Sequence, residues 1–257
     1  MTKTKYNFKN KLVLVTAGSK GIGKAIVDAF LDSGAMVAAF SRNVENIQNE
    51  KLLMMQGDLN DSVFLNNFYE EAISYFDKSV DILVNNNGGP TPGQAVDFSD
   101  KQWLEAIENN FMSVVRMSNL VLDDMKRNKF GRIINLTSSS AKEPAPGMAL
   151  SNVTRAAVTS YGKTLSLNVG EYGITVNTIL TGGVTTERFQ SLVEMQIKES
   201  GENYDQAMER ISASIPVNFV ATPDDFARYV LFLASSDASY TTGIALSVDG
   251  GASKGMF

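Results

Sequence analysis

The feature that most constrains this chain is its alternation between two periods. Short apolar or β-branched runs occur at Leu12–Thr16, Met36–Phe40, Leu52–Gln56, Ile82–Asn85, Arg132–Leu136, Thr175–Leu180 and Ile244–Val248. Longer stretches with apolar residues at helical spacing lie between them: Ile22–Leu31, Val63–Phe76, Lys101–Met117, Val153–Val169 and Asp224–Ala234. Near-continuous apolar runs are typical of strands buried on both faces, and strands alternating with helices build βαβ units. Their crossovers are right-handed, so successive units wind helices onto both faces of one mostly parallel sheet. The predicted fold class is α/β, a doubly wound sheet in a single domain over 1–257. No repeat, low-complexity tract or Pro/Gly-rich linker divides it. Only Gly182–Pro216 breaks the rhythm, as a mostly polar stretch expected to be helical.

Composition then removes whole classes of chemistry. The chain has no cysteine and no histidine. Disulfides, thiol nucleophiles, Cys- or His-ligated metals and any Ser-His-Asp triad are therefore excluded. Proton chemistry must use Tyr, Ser, Lys, Arg, Asp, Glu or water. No metal site is expected, because no acidic cluster shows ligand spacing. With 23 basic against 28 acidic residues the net charge is −5, which argues against a nucleic-acid partner. Leu12–Val15 is too short for the apolar core of a secretion signal, and nothing approaches the ~18 apolar residues of a membrane span. The expectation is a soluble, cytoplasmic protein with no membrane partner.

The first strand runs into Thr16-Ala17-Gly18-Ser19-Lys20-Gly21-Ile22-Gly23, and a helix follows. Glycines at a strand-to-helix turn let the backbone approach a pyrophosphate, and the helix N-terminus offers free N–H groups and a positive dipole end. The spacing, G-x-x-G-x-G from Gly18, also suits a plain tight turn. Its place after the first strand of an alternating chain favours a nucleotide.

With this turn the chain resembles the short-chain dehydrogenase/reductase family, whose signature is T-G-x-x-x-G-I-G. The resemblance covers essentially the whole length. It includes Asp58-Leu59 after the third strand, Asn85-Asn86-Asn87-Gly88 against the family's N-N-A-G, and Asn110 in the helix after Trp103. It also includes Ser138 after the fifth strand, Thr242-Gly243, and Val248-Asp249-Gly250-Gly251. The closest likeness is to the β-ketoacyl-acyl-carrier-protein reductase-like group. The resemblance implies a Rossmann-type fold, a nicotinamide cofactor, a small carbonyl or alcohol substrate, and a homotetramer or homodimer. It assigns cofactor binding to Gly18, Ser19, Lys20, Gly21, Ile22, Gly23, Asp58, Leu59, Asn86, Asn87, Gly88, Gly182 and Thr185. Two departures, Ala17 for the first Gly and Asn87 for Ala, each add atoms near the expected dinucleotide path.

An acid at the end of the second strand would hydrogen-bond a ribose 2′-OH and repel a 2′-phosphate. Here that strand ends Phe40-Ser41-Arg42, and Lys20 adds a second positive charge nearby. A guanidinium fork suits a phosphate. NADP(H) is therefore favoured over NAD(H), although both charges also fit an ordinary solvated surface.

In the family, a Tyr of Y-x-x-x-K donates the proton, the Lys binds the nicotinamide ribose, a Ser holds the substrate oxygen and an Asn completes a water relay. Asn110 and Ser138 stand where the Asn and Ser belong. The Tyr position falls on Ser151 and the Lys position on Arg155, with Ala156-Ala157-Val158 fixing the register. No tyrosine of the eight has Lys four residues on. A serine hydroxyl is a far weaker acid than a phenol, which titrates near ~10. Arginine stays charged and cannot relay a proton.

Three readings follow. The first is an oxidoreductase protonated by water, with Ser138, Ser151, Arg155 and Asn110 as catalytic residues. The second is other chemistry on a carbonyl compound, with Arg155 gripping a substrate carboxylate. The third is a cofactor-binding sensor or assembly protein without turnover. The 182–216 stretch, with Phe189, Leu192, Val193, Met195 and Ile197 at helical spacing, fits either a packing face or a lid over the substrate. Thr181-Gly182-Gly183 before it lacks the family's Pro, which loosens the loop. The dinucleotide reading predicts that Arg42→Asp or Lys20→Ala weakens NADPH binding much more than NADH binding in a fluorescence titration. Equal losses for both would reject it.

Overall fold

A computed structural model of the chain describes residues 6–255. Among these residues eight strands form one sheet: β1 (Leu12–Val15), β2 (Met36–Ser41), β3 (Ile47–Asn49), β4 (Leu52–Gln56), β5 (Ile82–Asn85), β6 (Gly131–Ser138), β7 (Ile174–Thr181) and β8 (Ala245–Val248). Their order is β3-β4-β2-β1-β5-β6-β7-β8. Every pair is parallel except β3 with β4. This is the single-domain, doubly wound α/β fold that the alternation predicts. The added strand β3 was not legible, because Ile47-Gln48-Asn49 is short, mostly polar and exposed.

The helices are α1 (Gly21–Asp32), α2 (Ser62–Phe76), α3 (Asp100–Ile107), α4 (Ser113–Asn128), α5 (Ala149–Val169), α6 (Glu187–Ser200), α7 (Tyr204–Ala213) and α8 (Pro223–Ala234). None is long and apolar enough, among the described residues, to cross a membrane. The expected helix Lys101–Met117 is instead α3 and α4 joined by a π turn at Glu108–Met112, and it runs on to Asn128. Charges at Asp123, Asp124, Lys126 and Arg127 hide the extension. Val121 and Met125, one turn apart, still face the core.

Side chains alternate across a strand, so each strand feeds two cores. Val13 and Val15 join α1 and α8 on one face, with Ile26, Phe30, Phe226 and Val230. Leu12 and Leu14 join α2, α4 and α5 on the other, with Phe68, Met117, Val121 and Leu165. Both layers are buried, which is why strands such as β1 read as apolar runs without alternation.

Phe40 anchors the end of β2 next to Ser41 and Arg42. It is 1% exposed and meets Phe64 and Phe68 edge-on, with ring centroids 5.0 and 4.8 Å away. The Phe64 ring lies over Gly57, where a Cβ would sit 1.9 Å from a ring atom. Phe40→Ala should therefore cost about 3–5 kcal/mol of stability in urea unfolding. A loss below about 1 kcal/mol would mean that the ring cluster closes over the gap.

Candidate functional site

The connections from β1 and β5 turn to opposite faces of the sheet, so a crevice opens at their carboxyl ends. The glycine-rich turn occupies it. Gly18 N–H donates to the Phe40 carbonyl at 3.0 Å, and a Cβ on Gly18 would lie 2.7 Å from Ala39 Cβ. A Cβ on Gly23 would lie 2.2 Å from the Ala17 carbonyl oxygen and 2.6 Å from Asn86 Nδ2. Gly21 takes φ +51°, and Ala17, standing where the family pattern has Gly, takes φ +49°. The left-handed conformation expected of a glycine is thus imposed on alanine, at about 1–2 kcal/mol. The N-cap of α1 is Lys20, without a side-chain cap, and its first turn holds no acid. The first N–H groups, including those of Gly21 and Ile22 beyond Ser19, are left for an anion.

Asn86 sutures the crevice. Its N–H donates to the Thr16 hydroxyl at 2.8 Å, that hydroxyl donates to the Asn86 carbonyl at 2.5 Å, and its amide donates to the Ala17 carbonyl at 3.2 Å. A Cβ on Gly88 would meet no atom within 4 Å, so the cleft is open there.

At the far end of the cleft, Ser41 is half-buried and Arg42 is exposed, with no carboxylate bridged to it among the described residues. Lys20 is engaged: its Nζ lies 2.9 Å from Glu187 Oε2 at the start of α6. Both side chains are mostly exposed, so this pair contributes at most about 1 kcal/mol. Asp58 accepts from Asn60 N–H at 3.0 Å and Leu59 is buried, just before Asp61 caps α2.

The residues aligned with the family's proton machinery lie at the ends of β6, α5 and the π turn. Ser138 closes β6, and its hydroxyl accepts from Ser140 N–H at 3.1 Å. Ser151 and Arg155 lie one turn apart on α5, both buried. The Arg155 guanidinium donates to the Leu136 carbonyl at 3.0 Å, to the Asn87 carbonyl at 3.3 Å, and to the Asn87 side-chain oxygen. The Asn87 amide in turn donates to the carbonyls of Asn110 at 3.3 Å and Asn109 at 3.4 Å. Asn110 is fully buried in the π turn, and its amide reaches the Thr154 hydroxyl at 3.3 Å. Two substitutions that look independent in the sequence, Asn87 and Arg155, are therefore one interaction.

Burial alone pulls the Arg155 guanidinium down to about 10, which leaves it charged at neutral pH. Its Nε is buried without a partner, and no carboxylate pairs with it among the described residues. The nearest alternative phenol, Tyr161, packs into the α4–α5 core beside Phe111, and burial pushes its hydroxyl up.

The substrate side of the cleft is bounded by Thr181-Gly182-Gly183. Gly182 N–H donates to the Val248 carbonyl at 3.0 Å, and a Cβ there would lie 2.7 Å from Asp249 Cα. Thr185 donates through both N–H and hydroxyl to the Ala221 carbonyl. The 182–216 stretch holds α6 and α7, with Val193 buried and Met195 half exposed. The start of α6 bridges two walls. Glu187 pairs with Lys20, Thr186 lies against Gly21, and Arg188 donates to the Pro90 carbonyl at 2.8 Å. Thr154, Arg188 and the Leu136 carbonyl were not among the expected site groups. Nothing local marks them, because each enters through a contact distant in sequence.

Comparison with known proteins agrees with this architecture. Residues 16–253 match the family described as enoyl-(acyl carrier protein) reductase. The chain is 31% identical to the NADPH-dependent reductase BacG of Bacillus subtilis, over 96% of this chain and 99% of that one. It is 30% identical to the 3-oxoacyl-[acyl-carrier-protein] reductase FabG of Haemophilus influenzae, over 95% and 98%. Among solved structures, a short-chain oxidoreductase from Pseudomonas aeruginosa PAO1, described as containing an atypical catalytic center, superposes with a TM-score of 0.87. It is 27% identical, over 97% of this chain and 100% of that one.

The Arg155–Asn87 contact predicts energetic coupling. Asn87→Ala alone should cost about 2–3 kcal/mol, because it strips partners from a buried charge. With Arg155→Lys added, a double-mutant cycle in urea should show at least about 1 kcal/mol of coupling. Zero coupling would make the two substitutions independent.

Proposed function

The chain belongs to the short-chain dehydrogenase/reductase family, and on that premise we propose that it is an NADP(H)-dependent oxidoreductase acting on a small carbonyl or alcohol substrate, with Ser151 and Arg155 in place of the usual Tyr and Lys. The observation that carries this reading is the close-packed turn at the crevice: Cβ atoms at Gly18 and Gly23 would collide with its walls, and the α1 N-terminus beside it is uncapped. These residues fit a dinucleotide. Gly18, Ser19, Gly21, Ile22 and Gly23 would hold the pyrophosphate, and Lys20, Ser41 and Arg42 the 2′-phosphate. Asp58 and Leu59 would border the adenine. Asn86, Asn87, Gly88, Arg155, Gly182 and Thr185 would border the nicotinamide half.

The cofactor, when bound, supplies the hydride. The chain's own residues orient the substrate and manage charge. Ser138 and Ser151 would hydrogen-bond the substrate oxygen and an ordered water beside it. Arg155, charged and held in place, would stabilise negative charge developing on that oxygen. The Asn87 amide takes one of the two lone pairs of the Asn110 carbonyl, and a water beside the substrate oxygen would serve as the proton donor. The 182–216 stretch would act as a lid hinged at Gly182 and Gly183, and the assembly would be a homotetramer or homodimer in the cytoplasm.

The alternative is a cofactor-binding sensor or assembly protein. The engagement of Arg155 by backbone carbonyls and Asn87 favours it, since those bonds alone suffice to explain the residue. A fluorescence titration with NADPH and NADH, followed by a carbonyl panel, separates the readings. The proposal expects tight NADPH binding, NADPH oxidation with at least one carbonyl compound, and a fall of about tenfold or more for Ser138→Ala. With no histidine or cysteine present, kcat should be flat between pH 6 and 9. Binding without oxidation would favour the sensor, and a steep pH profile would require a titrating group at the site.

A further inference from the structure

Arg155 is a buried cation with no counter-ion among the described residues. It is 6% exposed, and its partners among the described residues are all neutral: Asn87 Oδ1 and the carbonyls of Asn87 and Leu136. The carboxylates on elements that rim the cleft are engaged elsewhere. Glu187 is bound to Lys20. Glu143, in the segment after Ser138, accepts the N–H groups of Lys254 and Gly255 at 2.6 and 2.7 Å. Asp249, against Gly182, accepts from Gly251 and Ser253. No carboxylate among the described residues neutralises this charge, and burial reduces its screening by water, so its field reaches the cleft it borders.

It borders the cleft on a definite side. The Asn87 carbonyl lies just beyond the carboxyl end of β5 and the Leu136 carbonyl two residues before that of β6, across the glycine-rich turn from β2 and Arg42. A dinucleotide phosphate with its 2′-phosphate at Arg42 extends its other half over β5 and β6. The two redox forms of that half differ by one hydride. The reduced ring is neutral and the oxidised ring carries one positive charge, while the rest of the molecule is the same.

We propose that the cleft selects the reduced dinucleotide phosphate over the oxidised one, and that Arg155 is the residue that discriminates. This rests on the reading of the cleft as an NADP(H) site. Repulsion from Arg155 acts on the oxidised ring and not on the reduced one. Arginine holds this charge throughout the neutral range, and its hold on Asn87 and Leu136 prevents it from turning away. The selection biases the protein toward carbonyl reduction. It also lets the protein report the redox state of the cofactor pool in the absence of turnover.

The test is binding, not activity. Kd values for NADPH and NADP⁺ are measured by calorimetry on the full chain at matched ionic strength. The expected ratio is about tenfold or more in favour of NADPH. It should shrink to about threefold or less in the neutral variants Arg155→Met and Arg155→Gln, and survive in Arg155→Lys, with circular dichroism confirming that each variant is folded. A wild-type ratio near one overturns the inference regardless of how the variants behave. An unchanged ratio in a folded neutral variant overturns the role of Arg155. Failure of the wild type to bind either form instead overturns the reading of the cleft as a dinucleotide site.

Discussion

The hydrogen bonds between Thr16 and Asn86 join the ends of β1 and β5 where the chain's connections part to opposite faces of the sheet. Everything at the site is placed relative to this junction. On one side the turn from Ala17 to Gly23 passes close under Asn86 and against Ala39, too close for side chains at Gly18 and Gly23. On the other, the segment after Asn86 carries Asn87 to Arg155 and Pro90 to Arg188. The two cores behind the sheet hold the strands in register, so the junction is rigid although its surface is open at Gly88.

Charge at this site is organised by burial more than by proximity. Lys20 and Glu187 form a close pair, yet both are mostly in water, where an ion pair is weak. Arg155 has no ion pair among the described residues, yet it is buried, where its charge is screened less than that of an exposed pair. Keeping a guanidinium there costs stability unless its donors are met; Asn87 and the Leu136 carbonyl take its two terminal nitrogens while Nε stays unpartnered, and the Asn87 amide is itself anchored to the π turn. A π turn opens the helix ladder and frees carbonyls such as those of Asn109 and Asn110 for side-chain partners. The irregular turn, the asparagine and the arginine thus depend on one another.

Much of the fold was legible because its causes are local and repeated. The run Leu12–Val15 is apolar throughout, and Ile82–Asn85 is apolar up to its last residue, because helices cover both faces of the sheet. β3 was not legible, since three exposed residues pair with β4 only because β4 is already an edge. The far half of α4 was hidden because four charged residues, Asp123, Asp124, Lys126 and Arg127, crowd a narrow core stripe, and one of them, Asp124, is itself buried against Tyr69. At the site, the glycine turn, Asn110, Ser138, Ser151 and Arg155 could be located by position in a family pattern. Thr154 and Arg188 could not, because their contacts lie 44 and 98 residues away along the chain.

The sequence by itself determined the alternation of strands and helices, the glycine-rich turn after the first strand, and the absence of histidine and cysteine. Through a family pattern it also pointed to Ser151 and Arg155 as the residues in place of the usual Tyr and Lys. These follow from residue identity and short spacing, which need no knowledge of distant neighbours. Only the tertiary structure decided that Asn87 and Arg155 form one unit and that Lys20 meets α6. It alone decided, too, that Arg155 is buried with no counter-ion among the described residues. Such facts depend on which segments the sheet order brings together, and on how much water the packing leaves between them.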